Sequence, residues 1–136
     1  MTLAWQNGGL GHVPSYQASG MPYLTSSLAL PAESGEPVRL DFPGVTRFLV
    51  ITNVTPASAA SAPLRFGFSR NGVKGVENTN YGVLNNAESF TAELRCASLF
   101  LISDTATTAT GSVVAGVTDI APRYCANNWS GSLGVG

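Results

Sequence analysis

The sequence predicts an all-β protein in which about eight short antiparallel strands form a β-sandwich. Several segments alternate apolar and polar residues with a period of two, and stretches rich in Gly, Pro, Asn and Asp separate them. Helical periodicity is almost absent, because no window sustains apolar residues at i, i+3 and i+4. With 136 residues and a hydrophobic fraction of 44%, the chain is long enough to bury the core of one domain.

Four central segments carry the clearest strand patterns. LRFGFS (64–69) places its leucine and both phenylalanines on one face, and SFTAELRC (89–96) turns its Phe, Ala, Leu and Cys inward. TRFLVITNV (46–54) is apolar on both faces at its centre, which is typical of a middle strand, and ASLFLIS (97–103) has the same pattern. These segments are therefore predicted strands, two of them in the middle of a sheet.

Four weaker segments complete the set: TSSLAL (25–30), PVRLDF (37–42), NYGVL (80–84) and GSVVAGVTDI (111–120). A total of eight strands suggests a jelly roll, and the pattern alone leaves an immunoglobulin-like sandwich open. Immunoglobulin domains usually carry a Cys…Trp…Cys signature, whereas both tryptophans here lie outside the strands. This difference favours the single jelly roll.

The segments outside the strands are predicted to be extended arms, residues 1–24 and 121–136, on either side of one jelly-roll domain spanning 25–120. Each arm contains one tryptophan among glycines. Large aromatic side chains contribute much of the binding energy of many interfaces. We therefore predict four arm residues that anchor the chain to partners: Trp5, Tyr16, Tyr23 and Trp129. Packing of Trp129 on its own sandwich is the alternative.

The low charge of the chain favours assembly. Charged residues make up 11% of the sequence, against about 25% in an average soluble domain. A surface of small uncharged residues suits a subunit covered by neighbours, because burying a hydroxyl costs far less than burying an ion. A secreted β-protein is the alternative explanation.

The sequence also argues against nucleic-acid binding, against a membrane span and against secretion through a signal peptide. The net charge is −1 and no basic cluster is present, so nucleic-acid binding is not expected. The longest apolar run, residues 48–51, is too short for a membrane span. The start MTLAWQNGGLG lacks the features of a signal peptide, so the chain is expected to stay in the cytosol of the cell that makes it.

The sequence offers no catalytic or metal-binding constellation. His12 is the only histidine and lies in the glycine-rich N-terminal arm, and the carboxylates are scattered. GFSRNGVKG (67–75) has the composition of a phosphate-binding loop but lacks its Lys-Ser end and the following helix, so it is predicted to be a turn. Cys96 is predicted to be a buried hydrophobe, and pairing of Cys96 with Cys125 is left open. We expect no enzyme activity, no cofactor and no metal.

An ordered series of phrases resembles a known family. TRFLVITNVTP, LRFGFSRNGVKG, NYGVLNNAESFTAELRCASLFLIS, TGSVVAGVTDI and NWSGSLGVG, within residues 37–136, look like the penton (vertex) proteins of large double-stranded DNA viruses with double jelly-roll major capsid proteins. The phrases FGFSRNGV and AELRCASLFL carry most of this resemblance.

The resemblance implies a virion structural protein: a single jelly roll that forms a homopentamer at each fivefold vertex of an icosahedral capsid. Its partners would be the major capsid protein and minor capsid proteins, and its arms would contact them. Two alternatives remain, a trimeric capsid decoration (cement) protein and a jelly-roll carbohydrate-binding module.

Overall fold

The fold consists of two four-stranded antiparallel sheets, in a computed structural model that describes residues 20–75, 79–125 and 133–136. The strand order is β1-β8-β3-β6 in the first sheet and β2-β7-β4-β5 in the second. The strands are β1 (Met21–Leu30), β2 (Val38–Asp41), β3 (Thr46–Asn53), β4 (Leu64–Gly67), β5 (Gly82–Leu84), β6 (Ser89–Ala92), β7 (Ser98–Ser103) and β8 (Ala109–Val117). The predicted all-β class is confirmed.

The two strands predicted to lie in the middle of a sheet do so. β3 lies between β8 and β6, and β7 lies between β2 and β4. All six residues of β7 are buried, because a central strand is covered on both faces. β1 begins at Met21, four residues before the predicted start at residue 25, so the end of the predicted N-terminal arm is part of the first sheet.

The inner faces of the two sheets enclose one hydrophobic core. Leu49 and Ile51 of β3 and Leu99 and Leu101 of β7 have no exposed surface, and all four belong to the same buried cluster. Burying each such side chain contributes about 1.5–3 kcal/mol. The core therefore holds the two sheets together.

The segment predicted to be a turn at 67–75 contains a short helix, α1 (Arg70–Lys74). The Ser69 hydroxyl caps it by accepting a hydrogen bond from the N–H of Gly72, and Gly75 ends it in the left-handed conformation with φ 70°. Both residues are also common in turns, which is why the pattern pointed to a turn. Val73 of α1 packs with Phe100 and Ile102 on the outside of the second sheet.

The connection between β2 and β3 is tied to the chain that follows β8. The Val45 N–H donates to the carbonyl of Ile120 (3.0 Å), and the Val45 carbonyl accepts from the N–H of Thr118 (2.9 Å) and from its hydroxyl (2.6 Å). At the same end, the N–H of Gly20 donates to the carbonyl of Val117 (2.9 Å). The chain therefore enters β1 and leaves β8 at one end of the first sheet.

Candidate assembly surface

The outer face of the first sheet is built from every second residue of its strands. The register pairs Leu24 with Val114, Val114 with Val50, and Val50 with Thr91, so these side chains form a row across all four strands, away from the core. We call this surface the neutral face because none of its residues is charged. Its members are Pro22, Leu24, Ala29, Phe48, Val50, Thr52, Ser89, Thr91, Thr110, Ser112, Val114 and Gly116.

The neutral face combines apolar side chains with hydroxyls. Leu24 is 69% exposed and Val114 is 38% exposed, whereas Val50 is half-buried. The hydroxyls of Thr52 and Ser89 are hydrogen-bonded to each other at 2.9 Å. A partner could cover this face without removing a single ion from water, so the desolvation cost would be low.

The outer face of the second sheet has the opposite character. Ion pairs and charge-assisted hydrogen bonds connect its strands to α1 and to the connection between β1 and β2. Arg70 forms a two-fold hydrogen bond with Glu36 (2.5 and 2.7 Å), which lowers the pKa of that carboxyl. The charged residues on this side are Glu33, Glu36, Arg39, Asp41, Arg65, Arg70, Lys74 and Asp104.

Arg65 is the centre of this charged face. Its side chain is only 12% exposed, its Nε donates to Asp104 at 2.6 Å, and its guanidinium lies 4.4 Å from the ring centre of Tyr81. It also donates to the carbonyls of Val73 (3.4 Å) and Lys74 (3.3 Å). Arg65 thus fastens α1 to the sheet, and its hydrogen-bonding groups are used within its own chain.

Charged residues are present at one rim of the neutral face. Arg47 of β3 forms an ion pair of 3.1 Å with Glu93, just after β6. These two residues, with Leu94 and Arg95, line a depression of 350 Å³. Glu93 is 72% exposed, so the pair contributes little to stability.

Of the four predicted anchors, only Tyr23 lies within the described residues; Trp5, Tyr16 and Trp129 lie outside them. Tyr23 is in strand β1 rather than in an arm. Its ring meets the ring of Phe42 edge to face with centres 5.0 Å apart, and it packs against the core of its own chain. The contacts described for Tyr23 are intramolecular, and its role as an anchor to a partner stays a prediction.

The end of the chain, predicted to be part of a C-terminal arm, contacts its own domain where it is described. The carbonyl of Val135 accepts a hydrogen bond from the Ser69 hydroxyl at 3.0 Å, beside α1. Gly136 is buried. Residues 133–136 are thus attached to the second sheet's side of the molecule.

The described part of the chain contains no cluster of side chains that could hold a metal ion. Within residues 20–75, 79–125 and 133–136, no three His, Cys, Asp or Glu side chains are close enough to share a metal ion. His12 lies outside these residues. No helix in the described ranges has the length and hydropathy needed to cross a bilayer.

Cys96 is buried at the end of the core, as the strand pattern predicted. Its Sγ lies 3.4 Å from the hydroxyl of Thr46, which also accepts from the Cys96 N–H and donates to the carbonyl of Leu94. Burial raises the pKa of the Cys96 thiol to about 11; the Thr46 hydrogen bond opposes this, and nearby Cys125 adds to it. Both cysteines are free thiols.

This pKa predicts a loss of stability at alkaline pH. The thiol is protonated in the folded chain up to about pH 11 but ionises near its ordinary value of 9.0 once unfolded. The stabilisation is present below pH 9 and is lost as the pH rises toward 11, by up to about 2 kcal/mol. Urea unfolding at pH 8 and pH 10.5 measures it. A Cys96→Ala variant should lose less stability over the same interval, and equal losses would contradict the assignment.

Sequence reasoning missed the neutral face and its exposed large apolar residues, Leu24 and Val114. Leu24 belongs to the predicted N-terminal arm, and Val114 lies in GSVVAGV, which is apolar on both faces. The only signal for this face in the sequence is the low fraction of charged residues. A composition does not indicate where on the surface the uncharged residues lie. No protein-family model matches the chain, and no curated protein sequence matches it.

Proposed function

We propose that the chain is a single jelly roll that forms the homopentameric penton at the fivefold vertices of an icosahedral virion. In this role it contacts the capsomers of the major capsid protein and, through its arms, minor capsid proteins. It acts by assembly and carries no catalytic residue or cofactor.

The strand pairing is the observation that carries the proposal. β1 pairs with β8, β2 with β7, β3 with β6, and β4 with β5. This is the pairing of one long hairpin, with its turn between β4 and β5. Additional pairs, β3 with β8 and β4 with β7, divide the rolled hairpin into two sheets. This pairing supports the jelly-roll part of the proposal, and jelly rolls are common among capsid subunits.

The neutral face favours assembly over the other uses of a jelly roll. A carbohydrate-binding module needs a concave site with polar groups, whereas this face is a sheet surface whose apolar and hydroxyl side chains suit burial by protein. The two outer faces also differ in charge. A closed ring needs contacts between two different surfaces of each subunit, and the two outer faces of this sandwich differ in this way.

Native mass spectrometry of the full-length chain over a range of concentrations tests the proposal. We expect a species of five copies of the 14.1 kDa chain. A species of three copies would favour the cement-protein alternative instead. A chain that stays monomeric at every concentration would contradict a pentamer formed by the chain alone, and binding on a glycan array would then favour the carbohydrate-binding alternative.

A further inference from the structure

We propose that the neutral face of one copy binds the N-terminal segment, residues 1–19, of a neighbouring copy. The inference rests on the proposed function, because a ring places copies side by side. It adds which surface receives the arm and which chain donates it.

The two surfaces match in charge. Residues 1–19 contain no Asp, Glu, Lys or Arg, and the neutral face contains none either. An unpaired ion left in such a contact would be costly, whereas neutral groups on both sides leave none. The segment also supplies apolar side chains for the row formed by Leu24, Val114 and Val50: Leu3, Trp5, Leu10, Val13 and Tyr16.

The segment starts beside the face it is proposed to bind, and it is long enough to reach the next copy. Gly20, where the segment joins the domain, is hydrogen-bonded to Val117 at the end of β8. Nineteen extended residues span up to about 60 Å, whereas four strands are only about 15 Å wide. A segment of this length can leave its own sheet and cross the corresponding sheet of a neighbour.

The edge of the same sheet supports the assignment independently. β1 is an edge strand of ten residues with no charged side chain. The other three edge strands, β2, β5 and β6, have only three or four residues, and a short edge strand is itself protected against pairing. Charged side chains are a common protection of free strand edges, and β1 lacks it. Within the described residues no further strand pairs with β1, so outside the irregularity between Thr25 and Leu28 this edge offers backbone N–H and C=O groups next to the neutral face.

Symmetry selects the arm over a second neutral face as the occupant. Two neutral faces packed together would form an isologous, two-fold dimer, which does not extend to a fivefold ring. An arm on a neighbour's face is a contact between two different surfaces, and such contacts can close a ring of five.

Photo-crosslinking of the full-length chain tests the inference. Trp5 is replaced by p-benzoylphenylalanine, and this light chain is mixed with ¹⁵N-labelled heavy chain of natural sequence. After irradiation, mass spectrometry maps the crosslinked peptides, and native mass spectrometry of the same sample gives the stoichiometry. We expect light-to-heavy crosslinks to peptides of β1, β3 and β8 that contain neutral-face residues.

A matched pair of variants in the heavy chain provides the control. Leu24 on the neutral face and Val83 on β5 are both exposed apolar residues on edge strands, at 69% and 40%. Leu24→Asp should reduce the crosslink yield by more than about tenfold, because it places an unpaired carboxylate in the contact. Val83→Asp, on the other sheet, should leave the yield unchanged. Circular dichroism melting of both variants shows that each is folded.

Three outcomes would overturn the inference. They are crosslinks confined to one chain, crosslinks to the charged face, and a yield that Leu24→Asp does not reduce. A pentamer without arm-to-neighbour crosslinks would reject this inference and leave the proposed function standing. A monomer without intermolecular crosslinks would reject this inference and would also contradict a pentamer formed by the chain alone.

Discussion

Replacing Gly44 by alanine should destabilise the fold by about 3 kcal/mol, which lowers the melting temperature by on the order of 10 °C. A Cβ at this position would lie 2.3 Å from the carbonyl oxygen of Thr118 and 2.9 Å from a methyl group of Val117. The nearest atom belongs to the backbone, so it cannot move away without breaking the hydrogen bonds between Val45 and the chain after β8. The connection between β2 and β3 would separate from the first sheet.

Gly20→Ala is the matched control for this prediction. A Cβ at Gly20 would meet no atom of the described residues within 4 Å, although Gly20 lies at the same end of the sheet. Thermal unfolding followed by circular dichroism measures both variants. We expect Gly20→Ala to melt within a few degrees of the unmodified chain, and equal melting temperatures for the two variants would contradict the steric argument.

Asn53→Asp should cost about 3 kcal/mol or more at neutral pH, although it changes the shape of the side chain very little. Asn53 is fully buried, and its amide nitrogen donates to the carbonyls of Ala62 (2.9 Å) and Leu84 (3.0 Å). Its amide oxygen accepts from the N–H of Thr55 at 3.1 Å. A carboxylate would turn the two donated bonds into contacts between oxygens and would bury a charge with no cation beside it.

The cost of Asn53→Asp should fall at acid pH. Burial and the two carbonyls raise the pKa of the new carboxyl in the folded state above its unfolded value of about 3.9. The variant is therefore least destabilised below that value and loses stability as the pH rises through the folded pKa. Urea titrations at pH 4 and pH 8 compare it with Asn85→Asp, which is exposed and should cost less than about 1 kcal/mol. A destabilisation that does not change with pH would contradict this account.

The positions of the strands, and the face on which each side chain lies, could be predicted from local pattern because the alternation of side chains is a property of each strand alone. Phe66 inward and Arg65 outward could be assigned from LRFGFS without knowing the partner strands. The helix α1 could not be predicted from the sequence, because five residues are too few to show a helical period. Ser69 and Gly75 are also equally common in turns. The position of α1 depends on the packing of Val73 against Phe100 and Ile102 of the second sheet.

Tyr23 illustrates a second limit. The sequence placed it near a glycine-rich terminus, and nothing local distinguishes an aromatic residue that binds a partner from one that packs on Phe42. That choice depends on which strand lies across the core, which is a long-range contact. The neutral face has the same origin, since Leu24, Val114 and Val50 are up to 90 residues apart and become neighbours only through the register of three strands.

The sequence by itself determined the all-β class, the eight strands, which side of most strands turns inward, and a surface poor in charge. Each of these depends on composition or on residues within one strand. The tertiary structure alone decided how the strands are ordered in two sheets and how the charges are distributed. Strand pairing brings Arg65 together with Asp104 on one side, and on the other side it leaves charged residues such as Arg47 and Glu93 at the rim of the neutral face. Local sequence cannot specify this separation, because it arises from backbone hydrogen bonds between segments that are distant along the chain.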